Sequence, residues 1–178
     1  MQIIRQPSEM TAWAKEQAEA GRSIGLVPTM GFFHAGHLSL MRLAARRADL
    51  VVVSLFVNPT QFGPQEDLAA YPRDFERDRR LAEQQGAAVL FAPEEAVMYP
   101  AGYSTTVTVS KKLTGQLCGA SRPVHFAGVA TVVCKLFNMT QADVAVFGEK
   151  DYQQLMVIRL MVEDLDIPVE IVAYSTVG

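Results

Sequence analysis

One stretch constrains the rest of the chain: Pro28-Thr29-Met30-Gly31-Phe32-Phe33-His34-Ala35-Gly36-His37-Leu38. The apolar run Ile24-Gly25-Leu26-Val27 leads into it, and a helical pattern through Leu38, Leu40, Met41, Leu43 and Ala44 leads out. That places the stretch at a strand-to-helix turn. A helix N-terminus offers backbone N–H groups without helical partners and the positive end of the dipole, so the turn suits an anion. Gly31 and Gly36 carry no Cβ, which leaves room for a phosphate against the backbone. His34 and His37, two of only three histidines in the chain, are placed to donate to it. His-x-x-His spacing also suits zinc, although no cysteine or third ligand lies within the stretch.

The remaining pattern alternates strands with helices. Non-alternating apolar runs at 50–57, 88–93 and 143–147 read as strands buried on both faces, the kind found in parallel sheets. Strands at 24–28 and 168–172 complete the set, and weak alternation at 105–109 predicts an edge strand. Ser8 is placed to cap a first helix through Met10, Trp13, Ala14 and Ala18, ended by Gly21. A second helix runs to about Arg47, with Arg46 and Arg47 suiting its C-terminal turn. Residues 67–72 read as a surface loop. Residues 74–85 read as a polar helix whose charge run is a solvated face, with a Glu76–Arg80 pair. Residues 117–128 read as a loop rich in glycine, containing Arg122 and His125, which are candidates for meeting a phosphate or carboxylate. Val129, Val132, Val133, Leu136 and Phe137 then mark one apolar helix face. A helix over 152–163 is nearly apolar all round and so buried. Together these predict a doubly wound α/β domain.

In such sheets ligands bind at the carboxyl ends of strands. Two further clusters fall there. Asn58 and Gln61 follow the 50–57 run, either as polar anchors for a ligand or as plain turn residues capping their own backbone. Gly148-Glu149-Lys150-Asp151 follows the 143–147 run, repeating the order strand, glycine, polar cluster, helix. No Gly-x-Gly-x-x-Gly follows a strand, and neither a Gly-x-x-x-x-Gly-Lys-Ser/Thr loop nor a Gly-x-Ser-x-Gly elbow occurs. What is left is a nucleotide site built from imidazoles and a lysine. It has no evident nucleophile and suits in-line attack by a bound substrate on a nucleotide phosphate. A net charge of −3 gives no reason to expect nucleic acid or a lipid surface. Cys118 and Cys134 make no metal spacing and suit a reducing compartment. Arg5, Glu9 and Lys15 interrupt any leader-like apolar run, so no signal peptide is expected.

These residues carry a resemblance. Residues 28–38, of the form Pro-Thr-Met-Gly-x-x-His-x-Gly-His-Leu, resemble the ATP-binding signature of the pantothenate synthetase (pantoate–β-alanine ligase) family. Phe56-Val57-Asn58-Pro59-Thr60-Gln61-Phe62-Gly63 resembles its pantoate-side loop. Tyr71-Pro72-Arg73, Arg122-Pro123-Val124-His125-Phe126-Ala127-Gly128-Val129 and Gly148-Glu149-Lys150-Asp151-Tyr152-Gln153-Gln154-Leu155 match in the family's order, so the resemblance spans essentially the whole chain.

The resemblance implies a Rossmann-like doubly wound parallel sheet of the HIGH-motif nucleotidyltransferase type over residues 1–178. It implies two steps within coenzyme A biosynthesis. Pantoate's carboxylate attacks the α-phosphate of ATP, bound with Mg²⁺, giving pantoyl adenylate and pyrophosphate. The amine of β-alanine then displaces AMP to give pantothenate. By resemblance, His34, His37 and Lys150 stabilise the phosphates and the transition state, with His37 in the proton-donor role. Pro28, Thr29, Met30, Gly31, Phe32, Phe33, His34, Ala35, Gly36 and His37 would line the ATP site with Gly148, Glu149, Lys150, Asp151 and Val177. Gln61 and Gln154 would hold pantoate, Gln61 also lying on the β-alanine side. Asp78 is a candidate for placing Mg²⁺, and no metal ligand is otherwise assigned. The family implies a cytoplasmic homodimer with no nucleic-acid or membrane partner.

Two departures stand out. Phe32 and Phe33 are bulkier than the small-then-aliphatic pair usual in the signature, and are expected to repack the turn without removing its donors. The family's Ser-Ser-Arg-Asn loop and smaller C-terminal domain would follow Val177 and do not occur in these 178 residues. The chain is therefore expected to be the N-terminal domain, with reduced or no full activity by itself. The alternatives are a different HIGH-motif nucleotidyltransferase, a non-catalytic ATP-binding or dimerising fragment, and a zinc module on His34 and His37.

Overall fold

A computed structural model describes residues 1–110 and 123–175. Cys118, Arg122 and Val177 lie outside the described residues. The elements in chain order are β1 (Gln2–Ile4), α1 (Pro7–Glu19), β2 (Ile24–Thr29), α2 (Ala35–Arg47), β3 (Leu50–Leu55) and a 3₁₀ turn at Pro59–Gln61. They continue through α3 (Phe75–Gln84), β4 (Val89–Phe91), α4 (Glu95–Met98), α5 (Pro123–Thr140), β5 (Val144–Gly148), α6 (Tyr152–Asp164) and β6 (Glu170–Tyr174). The six strands form one sheet in the order β1-β4-β3-β2-β5-β6, and every neighbouring pair is parallel.

The central strands bury both faces, as their unbroken apolar runs require. Leu26, Val52, Ala145 and Phe147 point into a core shared with α1, α5 and α6. Their neighbours Val27, Val51, Val53, Val144 and Val146 point into a second core with α2 and α3. The chain order runs outward from β2 to β3, then returns to place β5 on the other side of β2. The switch point therefore lies between the carboxyl ends of β2 and β5, where open α/β sheets bind ligands. Leu26 stands opposite Ala145. Three residues further along each strand, Thr29 and Gly148 end the pair.

Several local expectations are corrected. The strand β1 is three residues at the sheet edge, too short to show periodicity. Helix α1 starts at Pro7 after Gln6 with no side-chain cap, rather than behind Ser8. Proline suits that first position, where its missing N–H has no helical partner to lose. Residues 105–109 form no strand. Instead the N–H of Val107 donates to Thr131 Oγ1 at 2.9 Å, tying this segment to α5. Helix α5 begins at Pro123, so His125 and Gly128 are helical rather than part of a loop. Gly128 has a packing reason. A Cβ there would lie 2.6 Å from the carbonyl oxygen of Thr60 and 2.7 Å from Gln61 N and Cα. The helix and the 3₁₀ turn touch backbone to backbone.

Candidate active site

The turn from β2 to α2 is bonded within itself and to α3. His34 is the residue capping α2. Its Nδ1 accepts the N–H of Gly36 at 3.0 Å, and the His34 N–H donates to Nδ1 of His37 at 3.1 Å. The two rings lie 4.0 Å apart, centroid to centroid. With both Nδ1 atoms accepting, each neutral imidazole carries its proton on Nε2. The pair thus presents two Nε2–H donors. Burial, helped by the nearby His34, pulls the His37 pKa from 6.5 down to about 4. At neutral pH its donor is an uncharged N–H rather than an imidazolium.

The backbone amides of the turn are also occupied. Gly31 N–H donates to Thr29 Oγ1 at 3.1 Å. Phe32 N–H and Phe33 N–H donate to the two oxygens of one carboxylate, Asp78 Oδ2 at 2.7 Å and Oδ1 at 2.8 Å. The amides of residues 31–34 and 36 therefore have partners inside the chain, and the imidazole edges stand as further donors at the turn. Asp78 is 1% exposed on α3, so the charge run of that helix is not solvated throughout. Its surface ion pairs are Arg79 with Glu76 and Glu83, at 3.2 and 3.3 Å, rather than Glu76 with Arg80. Phe33 is buried beside α2 with its ring 5.5 Å from that of His37, while Phe32 is 47% exposed under the Arg77 guanidinium.

A second network fixes Gln61. Asn58 Oδ1 accepts from Thr60 N–H at 3.3 Å, Thr60 Oγ1 at 2.9 Å and Tyr99 Oη at 2.9 Å. Its Nδ2 donates to Gly128 O and to Gln61 Oε1, both at 3.0 Å. Because Asn58 must turn its amide nitrogen toward the Gly128 carbonyl, Gln61 must turn its oxygen toward Asn58. That leaves the Gln61 Nε2 hydrogens to donate outward. His125 Nδ1 lies 3.1 Å from Gln61 O and so ties α5 to the same turn. Asn58 is thus a turn cap that also orients its neighbour.

These pieces meet at a cavity of about 200 Å³ lined by Pro28, Thr29, Met30, His37, Gln61 and Gln154. Asn58 and Tyr71 add polar groups, and Phe56, Val129, Val132, Val133, Leu136 and Phe147 close the apolar side. Gln154 reaches it from the first turn of α6, whose capping residue Asp151 accepts the Gln154 N–H at 3.1 Å. Gly148, Glu149, Lys150 and Asp151 do not line this cavity. They cluster at the carboxyl end of the neighbouring β5. Lys150 is exposed and forms no hydrogen bond or ion pair among the described residues. A larger cavity of about 530 Å³ runs past Met30, Gly31 and Phe32 toward Arg73 and Asp78. No group of three His, Cys, Asp or Glu able to hold a metal occurs among the described residues, so within them the histidine pair has no third zinc ligand. Tyr99, Gly128 and the clamping role of Asp78 were not legible as parts of a site. Gly128 did carry a signal, a glycine at the edge of an apolar helical pattern.

The family model described as Pantoate-beta-alanine ligase matches residues 2–178. Pantothenate synthetase from Heliobacterium modesticaldum is 61% identical over 177 residues, and that of Syntrophotalea carbinolica is 56% identical. Each alignment covers 99% of this chain, which spans 63% and 62% of those relatives. The crystal structure of pantothenate synthetase from Thermus thermophilus superposes with a TM-score of 0.93 at 50% identity, over 99% of this chain and 62% of that one. The Francisella tularensis ligase complexed with Beta-gamma ATP and Beta-alanine gives a TM-score of 0.93 at 37% identity, over 100% of this chain and 68% of that one. On the match across residues 2–178 and the high identity of these relatives, the chain belongs to the pantoate–β-alanine ligase family.

Proposed function

We propose that this chain holds the ATP and pantoate sites of a pantoate–β-alanine ligase, and that its residues carry the adenylation of pantoate ahead of transfer to β-alanine. The observation that carries the reading is the single cavity in which the Gln61 and Gln154 side chains meet His37 at the β2–β5 switch point. A small hydroxy acid suits it: an apolar wall on one side, and the Nε2 donors of Gln61 for a carboxylate or hydroxyl on the other. The acid so held faces the turn whose imidazoles bind the nucleotide.

ATP lies along the turn from Met30 to His37 and reaches Gly148–Asp151. The pantoate carboxylate attacks the α-phosphate, its oxygen forms the new bond to phosphorus, and pyrophosphate leaves. Negative charge grows on the phosphoryl oxygens. The Nε2–H groups of His34 and His37 and the ammonium of Lys150 offset it, which is where preorganised donors act most strongly. His37, held neutral by burial, donates a hydrogen bond rather than a full proton at this stage. Mg²⁺ would accompany ATP as part of the substrate and neutralise phosphate charge. Asp78, whose two oxygens each accept one amide of the turn, borders the larger cavity beside it. β-Alanine approaches from the Gln61 side, and its amine displaces AMP. By the same resemblance the protein works as a cytoplasmic homodimer, which sedimentation of the 178-residue chain tests.

Hydroxylamine traps an acyl adenylate as a hydroxamate. The chain incubated with Mg·ATP, pantoate and hydroxylamine is expected to form pantoyl hydroxamate. Hydroxamate from a different acid, with none from pantoate, would point to another nucleotidyltransferase and reject this reading.

A further inference from the structure

Phe32 is the feature that asks for an explanation. Its φ is 54°, directly after Gly31 at 83°. Glycine adopts that left-handed region freely, but a phenylalanine there is strained and persists only when its surroundings hold it. Its half-exposed ring, with the Arg77 guanidinium 5.7 Å from its centroid, does not fix the backbone. Its amide does. The N–H groups of Phe32 and Phe33 converge on the two oxygens of Asp78, forty-six and forty-five residues away in sequence. Hydrogen bonds to a carboxylate are the stronger class, and this one is almost fully buried. The next amide, of His34, bonds His37. Three successive amides are thus used in order, two by Asp78 and one by the histidine pair.

We propose that Asp78 is a positioning residue: its carboxylate holds the left-handed Gly31–Phe32 turn and so sets where the His34–His37 pair presents its Nε2–H donors. Asp78 does not touch the reacting groups. It acts through the turn, from a helix on the opposite side of the sheet from α5 and α6. A phenylalanine at position 32 makes the clamp necessary, because the backbone would otherwise relax toward negative φ. The functional consequence rests on the proposed reading of the histidines as phosphate donors, whereas the clamp itself is testable apart from it.

The experiment compares the 178-residue chain with Asp78→Asn, Phe32→Gly and the double variant. Asp78→Asn keeps the volume but turns an NH₂ group toward one of the two amides. Amide hydrogen exchange at residues 32–34 is read against amides of β3, and ¹⁵N imidazole spectra report which ring nitrogen of His34 and His37 carries the proton. Asp78→Asn is expected to speed exchange at residues 32–34 about 10- to 100-fold, the scale for losing a charged hydrogen bond. The β3 amides are expected to stay within about twofold, and the imidazoles to leave the pure Nε2–H form. Phe32→Gly in the Asp78→Asn background is expected to restore much of the His34 protection, since glycine needs no clamp at that φ. Unchanged exchange at residues 32–34, equal loosening of β3, or no rescue by glycine would each overturn the proposal. The companion rate of pantoate-dependent ATP–pyrophosphate exchange should fall with Asp78→Asn through kcat more than through the KM for ATP. Absence of that exchange in the unsubstituted chain would count against the functional reading alone, and the amide data would still decide the clamp.

Discussion

The two strand–helix junctions at the switch point are built oppositely. At the end of β2, nearly every polar group of the turn has an internal partner: the Thr29 hydroxyl, both Asp78 oxygens and both imidazole Nδ1 atoms. At the end of β5, Asp151 caps α6 while Lys150 is exposed, with no partner among the described residues. The first junction is fixed before any ligand arrives. The second supplies a cation with its contacts still to be made. On the proposed reading, the difference separates two kinds of residue: those whose loss would disturb the fold as well as the chemistry, and one whose loss would disturb the chemistry alone.

Lys150→Ala breaks the comparison most sharply. In the chain extended through the rest of the family's sequence, it is expected to lower the adenylation rate on the order of 10²-fold or more, the scale for one transition-state donor. The melting temperature should move by less than about 2 °C, since an exposed side chain of this kind contributes little to stability. A large stability loss would show that the second junction is as internally bonded as the first.

Gly128→Ala tests the wall behind Gln61. Its Cβ would meet backbone atoms at 2.6 to 2.7 Å, where no flexible side chain can yield. Overpacking of this kind costs about 1–3 kcal/mol. The displaced 3₁₀ turn should raise the KM for pantoate more than that for ATP, as steady-state kinetics would reveal.

His34→Ala should lower both rate and stability, unlike Lys150→Ala. It removes a proposed phosphate donor and also the α2 cap, and caps contribute about 1 kcal/mol. Denaturant melts of the two alanine variants side by side measure that contrast.

The last effect is in pH dependence. His37 has a folded pKa of about 4, below its ordinary 6.5, so the unfolded chain binds more protons between those values. Its contribution to stability is intact above pH 6.5, falls as pH drops through that window and is fully lost below about 4. Carboxylates titrate nearby, so the expected signal is the difference between the unsubstituted chain and His37→Gln. The variant should lose less stability between pH 6.5 and 4. Parallel curves would mean His37 is not desolvated.

The junctions also differ in how far the sequence exposes them. His34, His37, Lys150, Gln61 and Gln154 follow apolar runs at strand ends, so topology alone gathers them at one edge of the sheet. The two bonds to Asp78 that hold the first junction cross forty-six and forty-five residues and leave no local pattern. Asp78 sits in a helix where Glu76, Arg77, Arg79 and Arg80 surround it, and nothing in that charge run marks one carboxylate as buried. Gly128 and Pro123 read as loop residues because their reasons, a backbone contact and a helix start, lie outside their own neighbourhood. Short elements such as β1 exist only through their partner strand.

The most direct test of the account is exchange of labelled pyrophosphate into ATP by the 178-residue chain, with Mg²⁺ and with or without pantoate. The account predicts exchange that requires pantoate and is lost in Lys150→Ala. A folded chain whose exchange is absent, or is the same without pantoate, would contradict the claim that these junctions and the cavity between them perform the adenylation.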